Sequence, residues 1–507
     1  MPTLTADFPP GLFRNATPYK RRGRWIDGNL VRHHDGSVRP VGGWVRRQNA
    51  SNVAIASLIT DADLEAIRDI QTWRDTSGSQ QIVLGSNLAL YHLSAAGVVT
   101  DITYAGYAAL NSSKNAQEGG GYGKGLYGRG AFGAANNNAG RDVVPPDRWY
   151  FGLFGEVLLA GSRGNGGIYE LDLGTLTMSA VSNAPSEAQD LCVTAERQVF
   201  VVGADGDSRR IRASDVEDRT DWTPQTSNRS IDRTLPGNGK LLRCSPIGGE
   251  VLILGQNDAH VARYTGAPFV YNIVPVGQQC GPLAAEALAT TESFAVWWGN
   301  RKFWIYDGDV RQLPCDVIDY LNDDLNIAQQ SKVTAFTNTD FGEVWWLYQS
   351  ASATEVDSYV MWDYLQNAWQ TGRLDRTAGA DKGAINDLIM VASTGEIYNH
   401  ELVGVFPDSA DGVFVESGPI DAQDGEKNLA VRYIWPDTEA VTDVEYTLYA
   451  KQFPTDTEYS YGPYTAANPT PTRALGRQIR LRADFQTVNS ELGATRLEVT
   501  NMGTGRR

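Results

Sequence analysis

The stretch 341–374, FGEVWWLYQSASATEVDSYVMWDYLQNAWQTGRL, limits the folds open to this chain more than any other. Its pattern predicts a strand over 343–348, a small polar loop over 349–355, and a second strand over 358–364. A turn at 365–367 then leads to a third strand starting at Ala368. Trp345, Trp346, Tyr348, Tyr359, Val360, Trp362 and Tyr364 are residue types that suit a pleated, half-buried surface. Three or four antiparallel strands of this size form one propeller blade and are not stable alone. They need copies of themselves alongside.

The chain supplies such copies. The strand pattern begins at Asp69, with strands expected over 81–85, 88–93 and 98–102, and recurs around 157–160 and 168–171. Further copies lie in 191–211, 241–264, 294–313 and 387–398. Each joins an apolar strand to a second, aromatic-ended strand through a turn rich in Gly, Asn or Asp. The spacing is uneven and no WD dipeptide closes each unit, so six or seven divergent blades are expected. Within this run, 316–330 is the best helix candidate, because Val317, Leu321 and Leu325 fall on one face.

Two segments differ from the blades. Residues 14–47 hold nine Lys or Arg against Asp27 and Asp35, a net charge of +7 on a chain of −16. The reading is either a solvated arm or an arm that reaches an acidic neighbouring surface, with Arg21, Arg22 and Arg24 as contact residues. The second is 119–135, where GYGKG, LYGRG and AFGAA repeat with a period of five from Gly121. So many glycines predict an inserted loop. Lys124 precedes Gly125 rather than Ser or Thr, which rules out a phosphate-cradling P-loop. Tyr122, Lys124, Tyr127 and Arg129 are then either part of a plain linker or of an aromatic and basic contact loop facing a partner or nucleic acid.

After about residue 412, alternating strands with Val431, Tyr433 and Trp435, and with Ile479 and Leu481, suggest a β-sandwich-like module. The fold class expected is therefore all-β: a six- or seven-bladed β-propeller plus a sandwich-like platform built from the chain termini. The divisions are 1–68 (basic arm and platform), 69–412 (propeller, with the insertion at 119–140) and 413–507 (platform and tail module).

Composition narrows the function. A pI near 4.9 argues against wrapping nucleic acid by neutralising its phosphates, though not against a conduit through which DNA passes. Cys192, Cys244, Cys280 and Cys315 show no metal-ligand spacing and read as buried free thiols. The amino terminus lacks a secretory pattern and no apolar run is long enough to cross a bilayer, so no membrane insertion is expected. His33 and His34 are adjacent, and on a strand they point to opposite faces. Asp340 with Glu343, and Asp357 with Asp363, are the carboxylate pairs nearest a glycosidase pattern; strand-edge and turn roles explain them better. No catalytic, metal or cofactor site is expected, and the chain is read as a non-enzyme.

Several stretches together resemble one family. These are 8–44 (FPPGLFRNATPYKRRGRWIDGNLVRHHDGSVRPVGGW), the pentads of 121–133, 296–326, 341–364, 415–426 (VESGPIDAQDGE), and the closing 476–485 and 492–507. They are similar to the tail hub or nozzle proteins of short-tailed bacteriophages, the P22-type packaged DNA stabilisation proteins. The terminal TNMGTGRR is less polar than that family's pattern. The resemblance implies a virion structural protein, made in the host cytoplasm and forming a homohexameric ring beneath the portal. Its partners would be an adaptor or head-to-tail connector, a tail fibre, spike or needle protein, and genomic double-stranded DNA leaving through the channel. The competing reading is a carbohydrate-binding or glycoside-cleaving propeller.

Overall fold

A computed structural model of the chain describes residues 3–49, 51–118, 143–266, 269–421, 428–438, 441–453 and 455–501. Among these, seven four-stranded antiparallel sheets form the propeller. Six are continuous in sequence, from Ile67–Arg74 at the start of the first blade to Ala368–Arg373 at the end of the sixth. The first strand of each blade packs beside that of the next, with the Ala285–Ala287 turn between blades four and five. Ala378–Ala380 of the seventh blade returns to Ile67–Arg74 of the first. The ring is closed.

The seventh blade is completed from the other end of the chain. Gly43–Arg46 pairs antiparallel with Ile397–Leu402 as its outermost strand. The division placing all of 1–68 outside the propeller is therefore corrected for this strand. The physical reason is an edge: without Gly43–Arg46, Ile397–Leu402 would present unpaired N–H and C=O groups. Gly43 permits the approach, since a Cβ there would lie 2.6 Å from the Phe406 carbonyl oxygen.

The strands expected in 341–374 appear as Glu343–Tyr348, Ser358–Asp363 and Ala368–Arg373. The expectation of a half-buried surface needs correction, because every residue of the first two strands is buried. Blade six is covered on both faces. Phe303 of blade five packs edge-on against Trp346 and tilted against Trp369, while Trp345 lies against Tyr359, whose hydroxyl accepts the Leu30 N–H at 2.7 Å.

The helix candidate becomes two short pieces, a helix over Ile318–Asp324 and a 3₁₀ turn over Ile327–Lys332. Leu325 takes extended dihedrals between them, and Asn326 caps the second piece by accepting the Ala328 N–H. That cap offers the backbone an alternative to continuing the helix.

The platform is a two-sheet sandwich. One sheet has the order Thr3–Ala6, Thr495–Asn501, Leu429–Trp435, Thr470–Gly476. The other contains Trp25–Asn29, Phe414–Ser417, Gln478–Phe485, Val444–Lys451 and Tyr459–Thr465. Burial alternates strictly along Val444–Lys451, as a strand with one core face requires. The inner faces merge with blades five and six and with Leu12, Trp25 and Val31 into one apolar core.

Candidate functional site

The basic segment is folded into the joint between platform and propeller. Arg14 pairs with Asp27 and lies 4.0 Å over the Tyr320 ring. Arg22 pairs with Asp421 at 3.0 Å and Arg24 with Asp316 at 2.9 Å. Arg21 donates to the Arg14 carbonyl. Arg39 meets Glu491 at 2.8 Å, and Arg46 meets Glu396 at 2.9 Å. The solvated-arm expectation is thus corrected for Arg14, Arg22, Arg24, Arg39 and Arg46, which face carboxylates of their own chain. Attraction between the +7 segment and the acidic remainder is satisfied within the chain at Arg22, Arg24, Arg39 and Arg46. Tyr122, Lys124, Tyr127 and Arg129 lie outside the described residues.

A cleft of about 560 Å³ opens where this segment, the Ile318–Asp324 helix and the platform meet. Arg14, Arg21 and Arg480 line it together with Asp319, Asp323 and Glu416. Burial lowers the Arg21 guanidinium's pKa, and the nearby Arg14 charge adds to this. Burial raises that of Glu416 although Arg480 pairs with it. Opposite charges line the cleft at close range and hold the joint together.

A second ionic network fills the propeller axis. Arg148, which leads into blade two, bonds Asp69 of blade one at 2.6 Å and the Thr334 hydroxyl of blade six at 3.0 Å. Arg163 of blade two bonds Glu286, just ahead of blade five, and lies 3.1 Å from Asp190 of blade three. Arg243 of blade four reaches the same Glu286 at 2.5 Å. Side chains from opposite sides of a ring meet directly only near its axis. The axis is therefore crossed by buried ion pairs.

Nearby, Arg68 forks onto Glu355 at 2.9 and 3.0 Å, and Lys332 lies 3.4 Å from the same carboxylate. Burial opposes the charged form of both Glu355 and Glu286. Their arginine partners outweigh it and hold each carboxyl at about 2. Burial, reinforced by the Arg68 charge, brings the Lys332 ammonium down to about 8.

The four carboxylates nearest a glycosidase pattern each have a structural partner. Asp340 pairs with Lys382, and Asp357 accepts from Ser350 and Arg373 at 2.7 and 2.8 Å. Asp363 accepts the Leu365 and Gln366 amides at 2.8 and 3.0 Å. Glu343 sits opposite Asp363 in the ladder but takes the Arg32 fork and the Trp345 N–H. His33 is buried against Gln370 and His34 is exposed, on opposite faces as the strand geometry requires. The four cysteines are free thiols, three of them buried. The axial arginines escaped the sequence reading because Arg68, Arg148, Arg163 and Arg243 follow no periodic pattern.

No family model and no curated relative matches the chain. Solved structures similar to it include PorZ, an essential bacterial surface component of the type-IX secretion system of Porphyromonas gingivalis. That match has 11% identity and a TM-score of 0.36, covering 69% of this chain and 38% of PorZ. The chain thus spans well under half the length of that relative. The WD40 domain of Neurospora crassa Pan2 is similar at 6% identity and a TM-score of 0.40, covering 73% of this chain and 98% of that domain. Blade number and closure stand on the hydrogen-bond ladders of the chain itself.

Proposed function

We propose that the chain is a structural subunit of the tail nozzle of a short-tailed phage, ring-forming beneath an adaptor and enclosing the exit path of packaged DNA. The supporting observation is where the family-like stretches come to rest. Segments 8–44, 296–326, 341–364, 476–485 and 492–501 lie far apart in sequence. They supply Leu12, Trp298, Trp346, Leu481 and Leu497 to one continuous apolar core. In the nozzle reading, that shared core fixes the platform rigidly on the propeller, as a subunit bearing load between rings requires.

The closed axis bears on the route of the DNA. Because buried ion pairs cross each propeller's own centre, the duplex in this reading runs between copies. The net charge of −16 weakens adhesion of the phosphate backbone to such a wall.

The test is the copy number of the chain relative to portal subunits in purified particles, measured by quantitative mass spectrometry. About six copies per portal ring, a closed cyclic assembly, is the expected result. Absence from particles would overturn the reading. A glycan-array screen of the isolated chain would then examine the carbohydrate alternative.

A further inference from the structure

The two outer faces of the platform treat their arginines differently. On the five-strand path, Arg480 is bonded to Glu416 and Glu458, and Arg482 to Asp484. On the sheet containing Leu429–Trp435, the exposed Arg432, Arg473 and Arg496 have no side-chain partner among the described residues. Tyr433 and Trp435 stand on the same outward face, 38% and 39% exposed. Within the described strands of this face the acid is Glu498, which is opposite Tyr433 and accepts the Trp435 indole N–H at 3.4 Å; Asp7 and Asp437 lie just beyond the strand ends, Asp437 accepting the Ala494 N–H.

Register places these groups. Arg496 lies directly opposite Trp435, with Thr5 on its other side. Arg432 stands in the irregularity between Val431 and Tyr433, where the facing strand runs from Ala474 to Pro471, so Arg473 is its neighbour. Adjacent strands are ~4.8 Å apart and residues rise ~3.3 Å, which spreads the three charges over roughly 13 Å. Among the described residues, the strands of this face carry three cations against one acid, on a chain of net −16.

We propose that this face contacts the phosphate backbone of double-stranded DNA, with Arg432, Arg473 and Arg496 on phosphates and Tyr433 and Trp435 packed against the sugars. The proposal rests on the nozzle reading for the identity of the polyanion. A duplex presents one charge per ~1.7 Å of axis, so guanidinium groups spread over a flat sheet meet phosphates at any register. An acidic protein surface offers carboxylates only at fixed positions. Contacts of this kind carry no base readout. They give a salt-sensitive grip that restrains DNA yet allows it to slide.

The experiment is fluorescence anisotropy of the full chain with a short labelled duplex. Three phosphate contacts predict that affinity falls roughly 40-fold between about 50 and 200 mM salt. Arg432→Gln with Arg473→Gln and Arg496→Gln is expected to weaken binding at least roughly ten-fold at the lower salt and to flatten the salt dependence. A control with Arg229→Gln, Lys240→Gln and Arg301→Gln, exposed cations of the propeller, makes the same change in net charge and is expected to bind as the wild type does. Circular dichroism melts establish that each variant is folded.

Wild-type-like binding by the first variant, or equal loss in the control, would overturn the proposal. Failure to bind DNA while this face alone captures poly-glutamate would overturn it in favour of an acidic protein partner. No particle enters the assay, so its failure alongside about six copies per portal ring leaves the nozzle reading standing. DNA binding by a chain absent from particles does the reverse.

Discussion

Arg32 and Glu343 form a forked pair, with Nε to Oε1 at 2.8 Å and Nη2 to Oε2 at 3.1 Å. The other side of the same guanidinium takes Glu401 at 2.6 and 2.9 Å. One buried cation thus joins the amino-terminal hairpin Val31–His34 and Ser37–Pro40 to blades six and seven. Burial disfavours its charge, yet the two carboxylates raise the Arg32 pKa. Burial raises that of Glu343 despite Arg32.

Removing this arginine strands the buried Glu343 carboxylate and takes the cation from the partly buried Glu401. Arg32→Ala is expected to cost about 3–5 kcal/mol near neutral pH, read from denaturant melts. The deficit should shrink as pH falls, because the buried Glu343 carboxyl, its pKa raised by burial and deprived of its cation, takes up a proton more readily. Adding Glu343→Gln to the variant should recover part of the loss. A loss that is unchanged by pH would mean that packing alone explains it.

Acid should loosen the propeller through its axis. Glu286 and Glu355 are held at about 2 in the folded chain against an ordinary 4.5. Their contribution is present above 4.5 and is lost as pH falls toward 2. A shift of this size corresponds to about 3 kcal/mol for each carboxylate. Melting temperature measured down this range should fall. Glu286→Gln should start lower and lose less on acidification.

Closure of the ring depends on a residue without a side chain. Gly43→Ala would bring a Cβ to 2.6 Å from the Phe406 carbonyl oxygen. Overpacking of this kind costs about 1–3 kcal/mol. Val45→Ala in the same strand changes a residue that is 41% exposed and should stay within about 0.5 kcal/mol of the wild type. Parallel thermal melts of the two variants separate strand pairing from side-chain loss.

Trp346 anchors blade six to blade five. Its indole N–H donates to the Ala287 carbonyl at 2.9 Å, and Phe303 packs edge-on at 4.8 Å. Trp346→Ala should cost about 3–5 kcal/mol. Trp346→Phe keeps much of the ring contact but leaves the Ala287 carbonyl without its donor, at about 1–3 kcal/mol. Chemical denaturation of both variants checks the order.

Blade six was legible almost residue by residue, because its aromatic and β-branched runs are broken by polar turns at 349–357 and 364–367. The neighbouring helix was legible only in part. Val317 and Leu321 are fully buried as their spacing predicts, but Leu325 leaves the helix for an isolated bridge to Ser350. The basic residues of 14–47 were visible as a charge cluster. Their partners were not, since Asp316, Asp421 and Glu491 lie hundreds of residues away in sequence.

Local pattern is a property of neighbouring residues, so the sequence by itself determined that the chain would be strands, turns and a repeated blade. It also determined that the cysteines lack metal-ligand spacing and that the net charge is acidic. Tertiary structure alone decided that there are seven blades, that Gly43–Arg46 closes the ring, and that the axis is crossed by ion pairs. It alone decided which arginines are neutralised within the chain and which are left facing outward. These outcomes depend on contacts between distant segments, and a charge or an open strand edge finds its partner only once folding has brought those segments together.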